Sequence, residues 1–308
     1  MSSAAAGRNA SVTEERGSLM KLFNRRASRL ALAALLPLAL TCTQALAQTA
    51  ELVSRTELRV CADPSDLPYS NQKQEGFENK IAAIIGQDLK LPVSYVWFPQ
   101  VMGFVRNTLR ARQCDLVMGT AAGDALMDST TAYYHSGYMI VTRADARIAA
   151  VSLGDPSLAD KRFGIVAATP PTDLLLRHKL MDRTTSYSLA VDTRYESPAR
   201  SMLQDLVDHK IDVALLWGPI AGYYIKHDKL PLKAAFLDPE GEGGRLDFRI
   251  AMGVRANEPE WRRTVDQALQ RHRAEVDKLL ADYGIPLLDE QNKPIAASLP
   301  GATSGAKP

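Results

Sequence analysis

The chain has 308 residues, 46% of them hydrophobic and 23% charged, with 37 Lys and Arg against 35 Asp and Glu for a net charge of +2. Residues 1–47 carry six of the basic and two of the acidic side chains, so the remainder holds 31 against 33, a net of −2. Such a chain has ample apolar material for a core, which excludes disorder as its default, and it lacks the basic field that DNA or RNA binding needs, so no nucleic-acid partner is expected.

In chain order, the first feature is an export signal. Residues 1–19 are polar, unpatterned and followed by a second Met, Met20, which reads as a non-native or misannotated extension; the alternative is a genuinely extended basic region. Lys21, Arg25, Arg26 and Arg29 then precede an apolar run over residues 30–40, and Ala45-Leu46-Ala47 before Gln48 is an A-x-A cleavage site. That run is too short to span a bilayer, so residues 20–47 read as a cleavable signal peptide and the protein as periplasmic, not membrane-embedded. Cys42 follows Ala39-Leu40-Thr41, a poor lipobox, and cleavage after Ala47 is favoured over lipidation.

Beyond residue 48, apolar or alternating runs trade places with helical patterns, the signature of a parallel α/β sheet. Strands are expected at residues 58–62, 93–97, 115–119, 138–143, 162–167, 212–216 and 248–254. A helix after Gly76 carries Phe77, Ile81, Ile84, Ile85 and Leu89 on one stripe, and another after Pro99 carries Phe104, Thr108 and Leu109. Thr169-Pro170-Pro171-Thr172-Asp173 opens a third, with a proline near the first position and a hydroxyl available to cap. A fourth covers residues 198–210, and the longest, 258–283, buries Trp261, Val265, Leu269, Val276, Leu279 and Leu280. Gly241-Glu242-Gly243-Gly244 lacks the strand-to-helix context of a phosphate loop and reads as a mobile connection. Residues 291–308, rich in Pro, Gly, Ser and Ala, read as a disordered tail.

Two cysteines remain after the signal peptide, Cys61 and Cys114, and an oxidising compartment permits a bond between them. Parallel neighbouring strands would set them roughly three residues, or about 10 Å, apart, whereas a bridge needs Cα atoms within about 7 Å. A disulfide and two separate buried thiols both stay open. His135, His178, His209, His227 and His272 form no metal-binding or catalytic spacing, so no catalytic residue, metal or cofactor is expected.

The order of phrases carries a resemblance. Leu58-Arg59-Val60-Cys61-Ala62-Asp63, Pro68-Tyr69-Ser70, Gly76-Phe77-Glu78-Asn79-Lys80-Ile81-Ala82, Cys114-Asp115-Leu116-Val117-Met118-Gly119 and Lys210-Ile211-Asp212-Val213-Ala214-Leu215-Leu216-Trp217 resemble the amino-acid-binding type of extracellular solute-binding protein over residues 57–285. The resemblance implies a two-lobed α/β fold of the periplasmic-binding-protein type, two mixed sheets flanked by helices with a double hinge. Lobe 1 would comprise residues 48–137 and 251–290, and lobe 2 residues 138–250, with crossings near 133–137 and 247–250.

Within that family, Pro68-Tyr69-Ser70-Asn71, Val96-Trp97-Phe98-Pro99-Gln100, Tyr134-His135-Ser136-Gly137-Tyr138 and Trp217-Gly218-Pro219-Ile220-Ala221-Gly222-Tyr223-Tyr224 resemble the "J" proteins of methanol oxidation, which are associated with quinoprotein alcohol dehydrogenases. This implies an accessory factor that binds and helps activate or mature a periplasmic PQQ-dependent alcohol dehydrogenase, with its cytochrome c as a further candidate partner and no cofactor of its own. The competing readings are a transporter receptor for a small non-zwitterionic, partly apolar solute and an enzyme on the same scaffold.

The family's amino-acid clamp can be sought directly. Its Arg falls at Leu126 or Met127, its amine-binding Asp at Trp217, and its N–H-donating stretch at Ala168-Thr169-Pro170-Pro171, where each proline removes a donor. Zwitterion recognition is therefore lost. Asp63, Asp66, Tyr69, Met102, Thr120, Thr169 and Trp217 are expected to line the cleft, although Asp63 and Asp66 also suit a turn around Pro64, and Tyr69 and Trp217 suit core or hinge packing. Trp97, Phe98, Tyr223 and Tyr224 are candidate aromatic anchors for a protein partner if exposed.

Overall fold

Burial on both faces explains why the first strand is apolar at every position but Arg59: Leu58, Val60, Cys61 and Ala62 of β1 (Leu58–Ala62) are all buried. The computed structural model describes residues 52–241 and 244–300. The expected signal peptide, the residues before it, the centre of the 241–244 loop and the last eight residues lie outside the described residues.

After β1, the short β2 (Ser65–Asp66) and β3 (Ser70–Asn71) form a hairpin that leads into α1 (Phe77–Leu89). Asn79 closes the start of α1, its side-chain oxygen accepting from the Gly76 and Asn71 amides. Next come β4 (Val93–Trp97), α2 (Phe104–Asn107), β5 (Leu116–Ala121) and β6 (Asp128–Ser129). β1 lies between β4 and β5, parallel to both, with Cys61 opposite Val96 and Val117. The first sheet is completed by a returning antiparallel strand described below, and α1 and the last two helices cover it with Phe77, Ile81, Ile85, Val265 and Leu280.

β7 (Tyr134–Arg143) carries the chain into the second sheet, followed by β8 (Phe163–Val166), α3 (Thr172–Arg177), β9 (Thr184–Tyr187), α4 (Pro198–Val207), β10 (Val213–Trp217), α5 (Gly218–His227) and β11 (Leu232–Phe236). β10, β8 and β9 run parallel, whereas β7 is antiparallel to both β10 and β11. β12 (Asp247–Val254) then returns to the first sheet beside β5, and α6 (Pro259–Arg271) and α7 (Arg273–Asp282) follow. β7 and β12 pair antiparallel at the crossing, with Tyr134 opposite Ile250 and Gly137 opposite Asp247. There His135 Nε2 lies 2.7 Å from Asp247 Oδ1.

Several expectations need correction. The helix after Pro99 is a single turn, because the Thr108 hydroxyl donates back to the Phe104 carbonyl at 2.7 Å and the Arg110 amide reaches Val105, widening and ending the turn. Leu109 and Cys114 pack with Cys61 ahead of β5, which starts only at Leu116. This resolves the cysteine question. Cys61 and Cys114 are bonded at a Cα separation of 5.5 Å, among Phe104, Leu109 and Val117. The long C-terminal helix is broken at His272, whose ring bonds Asp88 of α1 and Glu275 of α7. Thr169 does not cap α3; its hydroxyl donates back to Val166 O. Residues 291–300, expected to be disordered, fold back instead. Leu288 bridges Pro294, the Leu287 amide donates to Ser298 Oγ, and Leu299 packs on the second lobe's core.

Candidate functional site

Strand ends and loops from both lobes converge on a cavity of about 910 Å³ lined by Asp66, Tyr69, Glu78, Thr120, Tyr134 and Phe248, among others. A second cavity, of about 870 Å³, lies toward lobe 2 and is lined by Thr169, Leu189, Arg194, Tyr195 and Tyr224. Asp66, Gln100, Tyr138 and Trp217 border both. Trp217 stands at the junction, 5.4 Å from the Tyr138 ring and 5.9 Å from the Phe248 ring, so the cleft is divided by an aromatic cluster.

The positions corresponding to an amino-acid clamp hold none of its chemistry. Leu126 is exposed on the rim and Met127 is buried against Gly253. Trp217 occupies the place of the amine-binding carboxylate. Past the two prolines, the amides of Thr172 and Asp173 are turned back onto the Thr169 and Pro170 carbonyls, at 3.0 and 3.4 Å, and are not offered to the cleft.

Of the residues anticipated from sequence, Asp66, Tyr69, Met102 and Thr120 line the first cavity, Thr169 the second and Trp217 both. Asp63 lines neither. Its carboxylate accepts from the Ser65 amide at 2.8 Å, the Gln100 amide at 2.7 Å and, from lobe 2, the Thr193 hydroxyl at 3.0 Å. It therefore ties a turn and links the lobes. The expected anchors are also corrected: Tyr223 and Tyr224 are only 6% and 7% exposed. Gly222, where a Cβ would collide with the Gly284 carbonyl, lets α5 pack closely there, and both rings are enclosed, with the Tyr224 hydroxyl donating to Leu67 O at 3.3 Å. Trp97 is half-buried and stacks on Tyr95 at 4.6 Å, and Phe98 packs over the disulfide cluster, so neither projects as an anchor.

Glu78 is the residue that sequence reasoning passed over as a site member. It is 8% exposed at the start of α1, and a Cβ on Gly119 would collide with its Oε1. Burial, and then the neighbouring charge of Asp66, pushes its carboxyl up to about 8. Burial and the charge of Asp63 push half-buried Asp66 up to about 7. The surrounding Tyr69 and Tyr134 hydroxyls are raised well above 10 by burial. A charged residue at the second position of an amphipathic helix is a faint signal, since helix starts favour acids for other reasons.

Among the described residues no group of three or more His, Cys, Asp or Glu is placed to hold a metal, and no helix is long and apolar enough to cross a membrane. Residues 58–285 match the family of bacterial extracellular solute-binding proteins, family 3. Protein MoxJ of Methylorubrum extorquens is 30% identical over 84% of this chain and 94% of its own length. The crystal structure of the periplasmic binding protein XoxJ from Methylobacterium extorquens AM1 is 39% identical, with a TM-score of 0.65 over 76% of this chain and all of that one. That of MxaJ from Methlophaga aminisulfidivorans is 29% identical, with a TM-score of 0.66 over 75% of this chain and all of that one. The chain thus belongs to the family 3 extracellular solute-binding proteins, in the group of MoxJ, XoxJ and MxaJ.

Proposed function

We propose that this protein is a periplasmic accessory factor that binds a PQQ-dependent alcohol dehydrogenase and assists its activation or maturation, engaging it most strongly before cofactor and metal are in place. The observation that carries this reading is a complete solute-binding scaffold in the MoxJ group whose amino-acid clamp is replaced by Leu126, Met127, Trp217 and two prolines. A scaffold kept while its inherited ligand chemistry is erased serves another partner.

Five of the nine large apolar side chains exposed among the described residues line the two cavities and support a docking surface at the cleft mouth. Met102 is fully exposed, with Val101 at 41% and Leu126 at 54% beside it on the first cavity's rim; Leu189 at 58% and Tyr195 at 81% stand on the second's. Such side chains dominate interfaces when a partner desolvates them. Deleting the gene should lower periplasmic dehydrogenase activity even with cofactor and metal supplied, and Met102→Asp with Tyr195→Asp should weaken capture of the apo dehydrogenase by purified protein at least about tenfold. Normal dehydrogenase maturation together with lost uptake of a small solute would return the protein to the transporter-receptor class.

A further inference from the structure

We infer that the inner end of the first cavity is a binding site for a small organic cation, an alkylammonium or quaternary ammonium group without a carboxylate, held by Glu78 and Asp66 and faced by the rings of Tyr69, Tyr134, Tyr138 and Trp217. This site is independent of the dehydrogenase role, because it concerns what fills the cleft and not what docks on its rim.

The two carboxyls lack a partner. Among the described residues, nothing donates a hydrogen bond to the Glu78 or Asp66 carboxyl, and neither has an ion-pair partner, although Glu78 is more than nine-tenths buried and opens on the cavity. The titratable groups facing Glu78 are Asp66 from β2, Tyr69 from the following turn, Tyr95 from β4, and Tyr133 and Tyr134 from the entry to β7. None is a cation. A buried acid without a counter-charge, beside a second, half-buried acid, is destabilising, and an apolar side chain of the same volume would serve the core better. Space is also reserved for the carboxyl, since only a glycine at position 119 leaves room for Glu78 Oε1.

The ring faces narrow the ligand. Tyr and Trp faces attract cations, most effectively where water is excluded, and a quaternary or alkyl ammonium matches an acid-and-aromatic wall. An anion would be repelled by the acid pair. A divalent metal prefers six or more oxygen ligands, and no set of three metal-ligating side chains exists among the described residues. The basic side chains of the cavity, Arg106 and Arg110, are exposed on its outer wall, so the field favours a positive group inward.

Calorimetry on the full mature protein with choline and with butylamine tests the site, at pH about 9 and about 6, against 3,3-dimethylbutan-1-ol, the neutral isostere of choline, and against calcium. At least one of the two cations should bind, and at the higher pH at least about tenfold more tightly than the alcohol; its affinity should fall at least about tenfold at the lower pH, where binding must first displace a proton from the acid pair. Glu78→Gln and Asp66→Asn should each weaken binding at least about tenfold and flatten the pH dependence, while Arg106→Ala leaves affinity within about twofold. The inference is overturned if neither cation binds, if the alcohol binds equally well, if calcium binds in their place, or if both acid variants keep wild-type affinity.

Discussion

Two of the acid sites in lobe 1, at Asp115 and at Glu78, could hardly be treated more differently. Asp115 receives Arg59 through Nε at 2.7 Å and Nη2 at 2.8 Å, the Ser54 amide at 3.2 Å, and Arg255, which also reaches Glu258 at 2.9 Å. Burial pushes this carboxyl up, but the hydrogen bonds from Arg59 and Arg255 outweigh it and hold the group below its usual range. Glu78 and Asp66 have no such partners and are displaced upward instead. Each Asp115 oxygen is satisfied from within the chain, so that cluster is structural. The Glu78 pair is complete only with something from outside, which is the mark of a binding site.

The largest expected effect separates the two directly. Asp115→Ala leaves two guanidinium groups facing an emptied buried site and should destabilise the fold by about 3–5 kcal/mol, read as a shift in urea denaturation with an unchanged slope. Glu78→Gln should move the other way, in a pH window. The wild-type carboxyl titrates near pH 8 when folded against 4.5 when unfolded, so between those values the unfolded chain alone is ionised and wild-type stability declines as pH rises. A glutamine does not titrate, so the variant should match or trail wild type at pH 4 and exceed it by about 2 kcal/mol at pH 9, part of the gain being lost to burial of an unpaired amide. A constant difference across that range would mean that Glu78 is solvated in the folded chain. Gly119→Ala comes next. Its methyl must displace the Glu78 carboxyl, costing about 1–3 kcal/mol and weakening whichever of choline or butylamine binds, while the Asp115 cluster, on the far side of the strand's start, is untouched.

Much of this was legible because the signals are local. β1, β4 and α1 follow from predominantly apolar runs and a 3.6-residue stripe, and the loss of the clamp follows from Leu126, Met127, Trp217 and two prolines read at matched positions. The remainder depends on how distant segments meet. Cys61 and Cys114 are three residues out of register along their strands, and only the turn at Thr108 brings them together. Tyr223 and Tyr224 look like interface residues until Gly222 is seen packed against Gly284. Glu78 reads as an ordinary first-turn acid, and nothing in its neighbours along the chain announces that Asp66, Tyr69 and Tyr134 enclose it. Strand β9 and the break at His272 escape a local pattern for the same reason, being fixed by pairing with β8 and by bonds to Asp88.

The smallest expected response is the most discriminating for the inherited function, because it is none. A free amino acid would bring an ammonium group suited to Glu78 and Asp66, but it would also bring a carboxylate into the same acid-lined end. No guanidinium stands at 126 or 127 to receive that carboxylate, and the amides beyond Pro171 are already bonded to Thr169 and Pro170. Each charge-assisted bond forgone is worth about 1.5–3 kcal/mol, so losing the two of the family clamp weakens binding by several hundredfold or more. Lobe closure should be silent too. The lobes already touch through Thr193 on Asp63, Tyr224 on Leu67 O and Lys226 on Ala281 O at 2.8 Å, and the Trp217 cluster divides the cleft between them. Calorimetry and X-ray scattering with a panel of standard amino acids should therefore show neither heat nor compaction, whereas choline or butylamine gives heat. Micromolar binding of any one amino acid, or a scattering profile that contracts with it, would show that Arg106 or Arg110 on the outer wall has taken over the role of the missing clamp.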